Sequence, residues 1–390
     1  MRARPPATSA VAGVGLVTAG ALTANVAAYL LHVPASRWLG LAGYSEFASL
    51  LSVQLLLAVP ALALQTVVAR EVARGADPAA LRSLQWRCAG IVAVVAVVLI
   101  PVVTAVLAVP AASAVSALVA APVLVVLGGE QGLLQGAQRF AQLAVVLAVT
   151  GVAKVVPAVL VLALGGGPAP ALFAGAVGIV AATGLAWVLA GRGGQGVATT
   201  AGVRAVLAAS QVQLALIALT SVDLILARVV LDGDDASRYA LAAIATKVAF
   251  WLPQAVGVVL YPQMAKPRES ARAMRTALVV LVALGAATVG AAALASPLVP
   301  VLVGTDYAPV QGVLWVFALC GACLALLQGA LLASIADERT WLGAIAWVGL
   351  AVEITLILTV VHSIGQLIAV AVGCAAVSAA AAWVAVLRQP

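Results

Sequence analysis

The sequence predicts an all-α, polytopic membrane protein with about twelve transmembrane helices in two parallel six-helix bundles around a central cavity. Three observations lead to this fold class: the composition, the length and number of the apolar runs, and a repeat that relates the two halves of the chain. The chain is 65% hydrophobic and only 8% charged, with a mean hydropathy of +1.19. Such a composition excludes an ordinary water-soluble domain.

Apolar runs long enough to cross a bilayer follow one another along the chain. A hydrocarbon core of about 30 Å needs roughly 20 apolar residues per helix, and a helix satisfies its own backbone polar groups in lipid. The runs lie at about 9–31, 46–69, 88–109, 112–134, 141–163, 170–190, 205–228, 239–264, 275–295, 309–335, 341–361 and 365–387. The first has a positive start but no clear cleavage site, so we interpret it as an uncleaved span. The short links AVPAAS and VHSIG predict antiparallel neighbours.

The distribution of Lys and Arg predicts that both termini lie in the cytoplasm, because short loops rich in these residues stay on that side of the membrane. With this orientation, fifteen of the twenty Lys and Arg residues fall in inner segments and three in outer segments, while Lys154 and Lys247 lie within spans. This arrangement accounts for the net charge of +7. A nucleic-acid partner is not expected, since duplex-binding proteins concentrate their charge on one soluble face.

A repeat relates the two halves of the sequence. The pentapeptide LLQGA occurs at Leu133 to Ala137 and again at Leu326 to Ala330, an interval of 193 residues. Tyr44 and Tyr239 each open a predicted span, and the fifth and eleventh spans each carry one charge within the membrane. Six spans is an even number, so two such halves have the same orientation. We predict an N-terminal bundle at 1–190, a cytoplasmic linker at 191–204 and a C-terminal bundle at 205–390.

Three stretches carry a family resemblance. GLAGYSEFASLLSVQLLLAVPALALQTVVAREVARG resembles the second span of bacterial polysaccharide flippases, members of the multidrug/oligosaccharidyl-lipid/polysaccharide exporter superfamily. LLQGAQRF and SVDLILARVVLDGDDASRYALAAIATKVAFWLPQAVGVVLYPQMA are similar to the same group. The chain departs from the usual pattern in being short and poor in aromatic residues and in central charges.

The resemblance implies a carrier that moves a lipid-linked oligosaccharide or polysaccharide precursor from the inner to the outer leaflet by alternating access. It implies a multi-pass protein of the bacterial cytoplasmic membrane whose partners are the lipid-linked glycan, membrane lipids, and a glycan polymerase or glycosyltransferases. The alternatives are an ion-coupled exporter of small molecules or drugs from the same superfamily and, less favoured, a polytopic enzyme of cell-envelope glycan assembly. We expect a transporter rather than an enzyme, because no catalytic cluster or large extramembrane loop is evident.

Lys154 is the foremost candidate for substrate binding. It lies about 20 Å along the fifth span, and an ionisable residue at membrane depth costs roughly 2.5 to 3.5 kcal/mol on insertion scales. It would attract the phosphate of the substrate, or else lock helices together through an ion pair. Arg70 and Arg139 would grip phosphate at the inner face, unless they serve only topology. Asn25 and Gln65 offer hydrogen bonds to sugar or between helices.

Further charges and prolines suggest ion coupling and gating. Glu353 is a candidate for taking up H⁺ or Na⁺ during the cycle, with pairing to Lys154 as the alternative. Asp223 and Lys247 are expected at similar depth, as a charge pair between the seventh and eighth spans or as part of substrate access. Pro60 and Pro253 would kink their helices as a lateral gate, although kinks also occur in static bundles.

No metal or cofactor site is predicted. The Cys320 and Cys323 spacing lacks neighbouring ligands, so these cysteines are interpreted as packing residues. The segment GRGGQGVATTAG lacks the strand and lysine of a phosphate-binding loop.

Overall fold

The computed structural model describes residues 7–191, 202–251, 270–336 and 343–387, and the elements formed in these ranges are helices. The first seven are α1 (Ala7–Leu57), α2 (Val59–Ala73), α3 (Pro78–Leu107), α4 (Ala111–Leu118), α5 (Ala120–Gly136), α6 (Phe140–Ala163) and α7 (Pro168–Ala190). The others are α8 (Val203–Leu219), α9 (Val222–Val230), α10 (Gly233–Trp251), α11 (Ser270–Ala295), α12 (Val299–Val303), α13 (Leu314–Ala336), α14 (Gly343–Val360) and α15 (Ile364–Leu387), with 3₁₀ turns at Ser296–Leu298 and Thr305–Val313. The predicted all-helical membrane fold is confirmed.

Local sequence sets several helix ends. Asp77 caps α3, because its Oδ1 accepts a hydrogen bond from the Ala79 N–H at 3.0 Å and Pro78 follows it in the first helical position. Pro168 opens α7 in the same way. Gly191 ends that helix with a backbone φ of 77°, a conformation that favours glycine.

The number of apolar helices agrees with the predicted spans once it is considered that one long helix contains two spans and that the eighth span is only partly described. Among the described residues, nine helical stretches are long and apolar enough to cross a membrane, or ten if the bent pair Gln213–Leu219 and Val222–Val230 is one span. The first two predicted spans lie in one of them, Gly15–Ala73, which has 59 residues. The eighth predicted span is described only as far as Trp251.

Two helical parts meet between the first two predicted spans. Residues 32–45 of α1 are helical except at Gly40, which has φ 65° and ψ −175°. Glycine is the residue that adopts this conformation without strain. Gly40 therefore separates α1 into two helical parts.

The chain forms two compact units. The first consists of Met1–Leu39 and Val53–Ser210, and the second consists of Gly40–Ser52 and Gln211–Pro390. The segment Gly40–Ser52 thus belongs to the second unit, a feature that the sequence did not suggest. The predicted boundaries at 190 and 205 stay a prediction.

Each unit has one central helix, and that helix carries the LLQGA repeat. In the first unit, α5 packs against α2, α3 and α7, and every residue from Val125 to Leu134 is buried. In the second unit, α13 packs against α10, α11 and α15. A helix that is apolar on all sides is expected to be surrounded by other helices. The repeat therefore marks the equivalent position in both units.

Close helix contacts explain why glycine recurs in these helices. Gly128 on α5 and Gly321 on α13 are also 193 residues apart. A Cβ added to Gly128 would lie 2.5 Å from the carbonyl oxygen of Ala61 on α2, and one added to Gly321 would overlap the carbonyl oxygen of Thr246 on α10. Small residues allow such backbone approach in membrane helices. Each central helix thus has a glycine at which its backbone approaches that of one neighbouring helix.

Candidate functional site

Lys154 lies in the first unit, on α6, where its side chain is partly buried. Its Nζ donates a hydrogen bond to Oε1 of Gln54, at 3.3 Å. Gln54 is on α1 and is itself buried. In the part of the chain that the structure describes, no carboxylate forms an ion pair with Lys154. Among the described residues, the hydrogen-bond partner of the Lys154 amine is therefore a neutral amide.

The backbones of α1 and α6 come close together one residue before Asn25. A Cβ added to Gly151 of α6 would overlap Ala24 of α1, so the two backbones touch there. Asn25 follows Ala24 in sequence and Lys154 comes three residues after Gly151. The side chain of Asn25 is exposed. Lys154 and Asn25 are thus each within about one helical turn of this backbone contact along their helices.

The other predicted substrate residues of the first unit already have protein partners. Gln65 Nε2 donates to Gln135 Oε1 at 3.0 Å, which links α2 to the repeat on α5. Arg70 lies 3.4 Å from a carboxylate oxygen of Glu71. Arg139 donates to the carbonyl oxygen of Ala190 at 3.0 Å. Their predicted roles toward substrate stay predictions.

Asp223 is the buried centre of a polar cluster in the second unit. Its Oδ2 accepts a hydrogen bond from the Tyr239 hydroxyl at 2.7 Å, and its Oδ1 accepts one from the Leu224 N–H at 2.7 Å. Lys247 acts electrostatically on Asp223, while its Nζ donates to Ser52 Oγ at 3.0 Å. The structure therefore brings both predicted residues to one region, and Tyr239 supplies the direct hydrogen bond to the carboxylate.

Glu353 belongs to the same region. It is buried on α14, which packs against α9, and Asp223 on α9 acts on it electrostatically. Its Oε1 has no hydrogen-bond partner among the described residues. Two buried carboxylates thus lie on helices that pack together, α9 and α14. Such an arrangement can bind a proton or a small cation.

Of the two predicted hinge residues, Pro60 lies in the described part of the chain. Pro60 lies just after Ala58, where α1 ends and α2 begins. Proline lacks the N–H that would continue the helix, so it accounts for this break. Pro253 lies outside the described residues.

Sequence reasoning missed a buried ion pair in the first unit. Glu130 on α5 is fully buried, and both of its oxygens accept hydrogen bonds from the Arg82 guanidinium at 3.0 Å. Gln85 donates to the same carboxylate at 2.8 Å, and Arg82 also donates to the carbonyl of Gly191 at 2.7 Å. A carboxylate three residues before LLQGA, inside an apolar run, was the available signal.

Comparison with known proteins shows the fold. The chain is similar to the structure of the lipid II flippase MurJ in an inward closed conformation, with a TM-score of 0.74 and 9% identity over 96% of this chain and 88% of MurJ. It is similar to an inward-facing multidrug resistance MATE family transporter of the MOP superfamily, with a TM-score of 0.65 and 12% identity over 91% and 92% of the two chains. A eukaryotic MATE transporter matches with a TM-score of 0.63 and 14% identity over 97% and 96%.

No protein-family model and no curated protein sequence matches the chain. At these identities the structural likeness concerns the fold alone. The described residues have the all-helical membrane fold of these solved structures, which are transporters.

Proposed function

We propose that this protein is an alternating-access carrier that moves a lipid-linked oligosaccharide or polysaccharide precursor from the inner to the outer leaflet of the bacterial cytoplasmic membrane. The observation that carries the proposal is Lys154, a cation at membrane depth whose hydrogen-bond acceptor is the neutral amide of Gln54. The fold supports a transporter, since both lipid-directed and drug-directed carriers share it.

The charge of Lys154 favours an anionic substrate. A lysine in the membrane costs roughly 2.5 to 3.5 kcal/mol on insertion scales, and such residues are retained mostly where they serve a function. A neutral amide offsets less of this cost than a carboxylate does. The phosphate or pyrophosphate of a lipid-linked sugar would provide the missing negative charge through charge-assisted hydrogen bonds. Asn25 and Gln54 would then contact the neighbouring sugar or phosphate oxygens.

The carboxylates of the second unit support ion coupling. Asp223 and Glu353 lie close enough to interact, and Glu353 has an unsatisfied oxygen. Binding of H⁺ or Na⁺ at this pair would relieve the repulsion between the carboxylates.

Reconstituted transport tests the role of Lys154. Proteoliposomes would contain the full chain and a fluorescent polyprenyl-pyrophosphate disaccharide, and a membrane-impermeant reductant would report the outward-facing fraction over time. We expect Lys154→Ala to abolish protein-dependent flipping and Lys154→Arg to restore part of it. Thr150→Ala is the matched control, because Thr150 lies one turn earlier on α6 and its hydroxyl donates to the Val146 carbonyl within the same helix. Undiminished flipping by Lys154→Ala would refute the proposal.

A small-molecule exporter is the second candidate, and the Asp223–Glu353 pair is the observation that favours it. The same proteoliposomes loaded with ethidium would be given an inward Na⁺ or H⁺ gradient. Gradient-driven ethidium export that depends on Glu353, together with no flipping of the glycolipid probe, would establish this alternative.

A further inference from the structure

Two neighbouring side chains on α3 face away from the first unit. Trp86 is 65% exposed, and Arg87 beside it is also exposed. The residues that follow on this face, Ile91, Val94 and Val98, are apolar and exposed. In a membrane helix such a stripe contacts lipid. Trp86 and Arg87 therefore stand at the edge of the lipid-facing surface of α3.

The depth of this pair can be read from the packing of α3 against the end of α7. Arg82 donates to the carbonyl of Gly191, so these two residues are at the same level. Trp86 is one turn beyond Arg82 along α3, and Trp187 is one turn before Gly191 along α7. Trp187 is 50% exposed as well. Two exposed tryptophans at one level are typical of the membrane interface, where lipid headgroups begin.

Arg87 differs from the other arginines near this end of the first unit. Arg70 and Arg74 contact Glu71, and Arg82 binds Glu130. In the described part of the chain, Arg87 makes no hydrogen bond or ion pair. Ser83, one turn earlier on the same face, is exposed. A guanidinium and a hydroxyl spaced by one turn can donate hydrogen bonds to one phosphate group.

We propose that Ser83, Trp86 and Arg87 form a binding site for the phosphate of an anionic glycerophospholipid. The guanidinium would hold the phosphate oxygens, Ser83 would donate a further hydrogen bond, and the indole would pack along the glycerol region. The acyl chain would lie on the valine-rich stripe. The sequence predicts that this end of α3 faces the cytoplasmic leaflet. This site is separate from Lys154 and does not depend on the transported substrate.

The test measures lipid binding to the purified full chain. Wild-type protein and variants in neutral phosphatidylcholine nanodiscs would be titrated with phosphatidylglycerol, and native mass spectrometry would give the apparent affinity of the tightest site. One arginine near a membrane surface contributes about 1 kcal/mol, which corresponds to roughly a fivefold change in affinity. We expect Arg87→Gln to weaken that site about fivefold and Trp86→Ala to weaken it measurably.

Arg74→Ala is the matched control, because this arginine is exposed on the same unit but already contacts Glu71. It should leave the tightest site unchanged. An unchanged affinity in Arg87→Gln, or an equal loss in Arg74→Ala, would overturn the proposal. Preferential displacement of phosphatidylglycerol by a polyprenyl pyrophosphate in an Arg87-dependent way would also overturn it, since the site would then belong to the transported lipid.

Discussion

Replacing Arg82 with alanine would remove the main partner of a carboxylate inside the first unit. Glu130 is fully buried, and the Arg82 side chain that binds both of its oxygens is only 16% exposed. The substitution would leave Glu130 with the single hydrogen bond from Gln85 and would free the carbonyl of Gly191. An unpaired buried carboxylate is costly because it has lost its hydration as well as its counter-ion.

The expected loss can be estimated by comparison with an exposed pair. Removing one member of a buried ion pair costs about 3 to 5 kcal/mol, and the remaining bond from Gln85 places Arg82→Ala near 3. Arg74 also contacts a carboxylate, that of Glu71, but its side chain is 66% exposed. Surface pairs contribute about 0.2 to 1 kcal/mol. Equilibrium unfolding in mixed micelles with increasing SDS would measure the free energy of unfolding of both variants.

A double variant distinguishes the effect of losing the ion pair from the effect of disturbing the packing around it. Arg82→Leu combined with Glu130→Leu replaces both charges by apolar groups, which often leaves stability nearly unchanged. We expect this protein to recover most of the stability that Arg82→Ala loses. Equal losses in Arg82→Ala and Arg74→Ala would refute the reasoning, as would a double variant no more stable than the single one.

Three further substitutions test the packing and the polar cluster. Gly128→Leu should destabilise the first unit by more than about 1 to 3 kcal/mol, because the leucine side chain would overlap the α2 backbone. A side chain at position 90 would meet open space, so Gly90→Leu should express normally. Gly40→Ala should cost about 1 to 3 kcal/mol on SDS unfolding, and no loss would show that the break tolerates other residues. Tyr239→Phe removes the hydroxyl bonded to Asp223, and we expect a loss of about 1 to 3 kcal/mol by the same measurement; wild-type stability would contradict the hydrogen bond.

The fold was predictable because membrane helices must be long and apolar, and long apolar runs of consecutive residues can be identified in a sequence. The exact link between the first two spans was not predictable, because a helix can continue through polar residues. Only Gly40 departs from helical geometry there. Nothing in the local pattern distinguishes such a one-residue break from a loop.

Some features of the candidate sites could likewise be predicted from the sequence, and others could not. Lys154, Asp223 and Glu353 were recognisable because charges are rare in apolar runs. Their contacts were not, since Gln54 lies 100 residues from Lys154 in sequence. Arg82 was assigned to an inner loop as one of many topology signals, which concealed its bond to Glu130, 48 residues away. Partner choice over such distances depends on tertiary packing.

The membership of Gly40–Ser52 in the second unit bears on how the protein is made. These residues leave the ribosome early, yet the unit they complete is not finished until the last third of the polypeptide has been inserted. A polypeptide that starts at residue 202 would lack this stretch, along with the Ser52 hydroxyl that Lys247 binds. Severing the chain within 192–201 should therefore give a C-terminal fragment that accumulates only when the N-terminal fragment is produced in the same cell.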